Sequence, residues 1–145
     1  MKRTFVLAAG LLCSTFAQAA EPVKIGITTI LSGPMADRGQ SEQYGAQLAL
    51  DSINQSGGVL GRPVAAYYAD NACKPDVGVP ATKRLLELEH VPVIIGALCT
   101  PVTHAIMPMM KDAKVPLVIA TSAGQDFVAD HQNPCRDDLA HGLIP

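Results

Sequence analysis

Four short apolar, β-branched runs alternate with three segments of helical period, and this alternation narrows the possible folds more than any single motif does. Residues 23–30 (Val-Lys-Ile-Gly-Ile-Thr-Thr-Ile) have the composition of a buried strand. Ser32, Gly33 and Pro34 end that run with turn chemistry. Tyr44, Leu48, Ala49 and Ile53 then recur at helical spacing, which predicts an amphipathic helix over about residues 41–56. Gly57 and Gly58 stop it, because glycine accepts the left-handed conformation of a C-terminal cap. A second strand is expected over 64–69. Pro75 and Asp76 open a second helix with Val77, Ala81, Leu85 and Leu88 on one side. A third strand follows over 91–96. Thr100 and Pro101 start a third helix carrying Val102, Ala105, Ile106, Met109, Met110 and Ala113, and a fourth strand covers 116–120. The β-α-β-α-β-α-β order implies an α/β fold, a doubly wound parallel sheet with helices on both faces and right-handed crossovers. After about Asp130 both periods vanish, and the polar segment 133–138 leads to Pro145 without a closing element.

The first twenty residues follow a different logic. Lys2 and Arg3 precede an apolar run from Phe5 to Leu12, and Ala17 and Ala19 place small residues where a signal peptidase reads. The run is too short for a membrane span, which needs about 20 apolar residues. Residues 1–19 are therefore expected to be a cleaved signal peptide, with Ala20 as the rival cleavage position. Export places the chain in an oxidising compartment, the periplasm, where disulfides persist. Cys73, Cys99 and Cys135 remain after cleavage, an odd number that allows at most one internal bridge. Cleavage also removes two basic residues and no acid, leaving nine basic against thirteen acidic side chains, net −4. No basic patch remains, which argues against nucleic acid as a partner.

In an open parallel sheet, ligands bind beyond the carboxyl ends of the strands. Three loops leave those ends with polar chemistry: residues 32–39, 99–101 and 121–124. Thr is a favoured N-cap and Pro suits the first helical position. A ligand carboxylate at that helix start would meet the Thr100 hydroxyl and free N–H groups at the positive end of the helix dipole; the alternative is that Thr100 only caps its helix. Small residues at 121–124 either let a ligand approach the backbone or form an ordinary turn. Arg38 is either a cation facing the crevice or a solvated surface residue. Phosphate-loop, dinucleotide, nucleophile-elbow and zinc-protease motifs are all absent, as is C-x-x-C. The four histidines have no metal-ligand spacing. No catalytic residue, cofactor or metal is expected. A thiol enzyme using Cys99 at a helix start is a reading from another class.

The ordered set Val23-Lys24-Ile25-Gly26, Leu31-Ser32-Gly33-Pro34, Gly57 to Val64, Asp70 to Pro75, Ile94 to Cys99 and Val115 to Ile119 resembles the branched-chain amino-acid-binding proteins of ABC importers. The resemblance covers roughly residues 22–130. It implies the N-terminal lobe of a type I periplasmic-binding-protein fold, a small amino-acid-like or carboxylate ligand, an ABC permease as partner and a monomer at full length. It also implies a Cys73–Cys99 disulfide. Its ligand-binding positions fall on Arg38, Thr100, Ser122, Ala123 and Gly124. The amino-acid binders of this family carry an aromatic residue where Arg38 stands and an ammonium-holding Thr where Gly124 stands, so a more acidic ligand, a carboxylate lacking the amine, is expected. The expected organisation is a signal peptide (1–19), an incomplete lobe (20–132) and an irregular tail (133–145), with the second lobe absent. On that organisation the chain alone binds weakly or not at all. A sensor lobe of the same fold and a nonfunctional truncated product are the alternatives within the class.

Overall fold

In the computed structural model, residues 21–124 are described, so the expected signal peptide, Cys135 and the tail lie outside the described residues. The elements run β1 (Val23–Thr29), α1 (Ala36–Gln55), β2 (Val64–Asp70), α2 (Pro75–Glu87), β3 (Ile94–Gly96), α3 (Thr100–Ala113) and β4 (Leu117–Val118). All pairings are parallel and the strand order is β2-β1-β3-β4. The chain leaves β1 toward one edge and crosses back from β2 to β3 in the opposite direction. With right-handed crossovers this puts α1 on one face and α2 and α3 on the other, the doubly wound arrangement. It also puts the topological switch point between β1 and β3, where the connections diverge and a crevice opens.

The core lies under α2 and α3. Ile94, Val102, Ile106 and Met110 are fully buried there with Leu85 and Leu117. A small polar group sits in the same layer: Asn71 and Thr82 each donate to the Thr28 hydroxyl at 3.4 Å, and all three are fully buried. Pro80 and Pro108 lie inside α2 and α3, where each removes one backbone hydrogen bond without ending its helix.

Several boundaries differ from expectation. β3 begins at Ile94 rather than 91, because Pro92 brings no N–H to the ladder. α1 begins at Ala36, five residues early, and so takes Arg38 out of the loop and into a first helical turn. The apolar stripe of α1 is not its core face. Tyr44 is 74% and Leu48 73% exposed, while Gly39 and Leu50 are the buried positions. The reason is a close approach at the start of the helix. A side-chain carbon on Gly39 would fall inside contact distance of the Ile30 carbonyl oxygen and 2.5 Å from its carbonyl carbon. That contact fixes which face of α1 meets the sheet. At its far end, Gly57 and Gly58 adopt the positive φ (99° and 74°) expected of a cap.

Candidate ligand-binding crevice

The loops after β1, β3 and β4 all leave the carboxyl edge of the sheet. The first is held by Asp70, the last residue of β2. Its Oδ1 accepts the backbone N–H of Leu31 at 2.8 Å and of Ala72 at 2.9 Å. Burial pushes the Asp70 carboxyl up, but hydrogen bonds from the Ser32 hydroxyl and from the N–H groups of Ala72, Leu31 and Ser32 outweigh it and hold it below its ordinary value. Asp70 therefore ties the Ser32 loop to the turn at Ala72 and Cys73.

That turn carries two consecutive left-handed residues, Ala72 (φ 45°) and Cys73 (φ 57°). Side-chain bonds compensate: the Asn71 Oδ1 accepts the Cys73 N–H at 2.9 Å, beside the Asp70–Ala72 bond. The result aims Cys73 at Cys99, and the two form a disulfide with a Cα–Cα distance of 5.5 Å across 26 residues. The bridge implied by the family resemblance is thus present.

Cys99, not Thr100, occupies the cap position of α3, and no side chain caps the helix. Its carbonyl accepts the N–H groups of Val102 (3.0 Å) and Thr103 (3.1 Å). Pro101 has no N–H. Of the first four helical positions, only Thr100 keeps an N–H without a partner among the described residues. The expected set of several free donors is therefore reduced to one. Thr100 is half-buried, and its hydroxyl reaches across to the Ala123 carbonyl at 3.3 Å in an exposed bond. Thr100 thus joins its helix to the loop after β4, as a cap would not.

Ser122 is committed inward. Its hydroxyl donates to the Ala97 carbonyl in a short contact and lies 2.6 Å from the Thr103 hydroxyl. The backbone N–H groups of Ala123 and Gly124 have no partner among the described residues. Arg38 is exposed, and its guanidinium has no hydrogen bond or ion pair among the described residues. Thr103, fully buried and absent from the expected set, also approaches the Ala97 and Cys99 carbonyls at 3.2 and 3.3 Å. Its signal in the sequence was a hydroxyl residue within the buried stripe Val102, Ile106 and Met110. Two surface hollows, of about 250 and 350 Å³, lie elsewhere: one beside Tyr68 and Arg84 at the β2 edge, the other beside Lys24 and His90. No group of His, Cys, Asp and Glu among the described residues is arranged to hold a metal.

Comparison with known proteins identifies the family and the fold. The periplasmic binding protein family matches residues 22–140, and the chain belongs to that family. It is 31% identical over 115 residues to the Leu/Ile/Val-binding protein homolog 3 of Brucella melitensis, covering 79% of this chain and 31% of that one. Among solved structures, it is similar to the branched-chain amino acid transporter substrate binding protein of Streptococcus pneumoniae in complex with isoleucine. That match has a TM-score of 0.71 and 29% identity, and covers 75% of this chain and 31% of the other. A solute binding protein of an ABC transporter from R. palustris, in complex with 4-hydroxybenzoate, matches with a TM-score of 0.68 and 27% identity over 79% of this chain and 30% of that one. The chain spans about a third of the length of the relatives it matches.

Proposed function

We propose that this chain supplies a ligand-binding lobe of the extracytoplasmic solute-binding component of an ABC importer, and that the ligand is a small carboxylate. Three loops at one switch point carry the reading. Thr100, Ala123 and Gly124 present unpartnered N–H groups there, and the Thr100 hydroxyl lies among them. Backbone donors at a helix start and in an adjacent loop stabilise a carboxylate without needing a second charge. Arg38, at the start of α1, supplies the cation. Gly124 offers no hydroxyl for an ammonium. The 4-hydroxybenzoate complex of the R. palustris relative shows that this fold holds a carboxylate lacking an amine in at least one similar protein. The chain is exported with its signal peptide cleaved after about Ala19, acts in the periplasm and passes its ligand to a membrane permease. The thiol-enzyme alternative is disfavoured, because in the bridged form Cys99 is no nucleophile.

A calorimetric screen tests the ligand class. Plain carboxylates such as benzoate are expected to bind more tightly than leucine or valine. Removing the charge with Arg38→Ala is expected to weaken them by about 3- to 10-fold, less than a buried charge-assisted bond because the site is exposed. Leucine or valine binding more tightly than every plain carboxylate would sink the proposal.

A further inference from the structure

We infer that Thr103 is the positioning residue that holds the loop after β4 in place at the ligand crevice. The inference rests on the binding reading only for its consequence; its geometry stands alone. Among the described residues, the hydrogen bonds tying residues 119–124 to the rest of the lobe are three: Ser122 to the Ala97 carbonyl, Ser122 with Thr103, and Thr100 to the Ala123 carbonyl. Two of the three therefore pass through the Ser122 hydroxyl. That hydroxyl has one hydrogen, given to Ala97, so it accepts from Thr103 at 2.6 Å. The Cys99 carbonyl already takes two backbone N–H groups, and the Thr103–Ser122 separation is the shortest of the Thr103 contacts.

Thr103 is 0% exposed, so its side chain does not reach a ligand directly. It acts through Ser122 on the Ala123 and Gly124 N–H groups next in the chain. Because Thr103 also belongs to the helix that presents Thr100, one buried hydroxyl sets the spacing between the two halves of the donor set. A valine methyl in place of the hydroxyl would meet the Ser122 oxygen at 2.6 Å, closer than carbon and oxygen pack, and would push the loop outward.

The test is 15N relaxation on the whole chain, without ligand. Order parameters at Ala123 and Gly124 are expected near the rigid value of about 0.85 and to fall toward about 0.6 in Thr103→Val. Thr103→Ser, which keeps the hydroxyl, restores them. Amides in α2 do not change. Should Thr103→Val fail to fold, Thr103→Ala, which leaves the Ser122–Ala97 bond in place, carries the test and is expected to loosen the same two amides. Unchanged order parameters in both variants overturn the inference. So does equal loosening in Thr103→Ser, which would assign the effect to packing of the methyl group. Because no ligand is involved, failure of the carboxylate reading would show in calorimetry and leave this result untouched.

Discussion

Gly39→Ala is expected to lower the unfolding free energy by about 3 kcal/mol, at the high end for an overpacked site. Alanine is ordinarily the better helix former by about 1 kcal/mol, so helix propensity alone predicts the opposite sign. The packing term wins because the obstacle is the Ile30 main chain, which cannot rotate away as a side chain would. Relief requires lifting the first turns of α1 off the end of β1, and Arg38 moves with them. A urea melt checks this: the midpoint falls sharply, with the slope retained. A midpoint equal to or above that of the parent would mean that α1 is not seated on Ile30.

Breaking the Cys73–Cys99 bridge is the second large effect. Closing a loop of this length lowers the entropy of the unfolded chain, and the chain-entropy model gives about 3–4 kcal/mol for 26 residues. The paired substitution Cys73→Ser with Cys99→Ser is expected to lose that amount and to make the melt insensitive to reductant. The parent chain in reductant should melt where the double variant does. The structural consequence extends past stability. The bridge links the turn held by Asp70 to the start of α3, so the Ser32 loop, Thr100 and the Ser122 loop are joined in one chain of contacts. A double variant as stable as the parent would show that the bridge is dispensable to the lobe.

Much of this architecture was legible in the residues. Strands β1 and β2 and helices α2 and α3 follow from apolar periods bounded by Gly and Pro, and the parallel order follows from their alternation. The misreadings share a cause: periodicity reports that residues lie on one face, not which face meets the sheet. Tyr44 and Leu48 form a good stripe, yet the deciding contact is the missing side chain of Gly39, which leaves no hydrophobic signal. The cap reading of Thr100 failed for a related reason. Cap preference is local, whereas the partner of the Thr100 hydroxyl, the Ala123 carbonyl, lies 23 residues on, and the cap position itself falls on Cys99. The hydroxyl of Thr103 within the buried stripe was a signal without a meaning, because it is informative only once its partner, 19 residues on, is known.

The most direct test of the central claim is an amide shift titration of the 15N-labelled chain with benzoate. Weak binding by this chain at the carboxyl edge predicts shifts that grow with benzoate concentration and concentrate at the amides of Thr100, Ala123 and Gly124, with a smaller response near Arg38 and none at the β2 edge. Shifts that cluster beside Tyr68 and Arg84, or that leave Thr100, Ala123 and Gly124 unmoved while other amides respond, would contradict it.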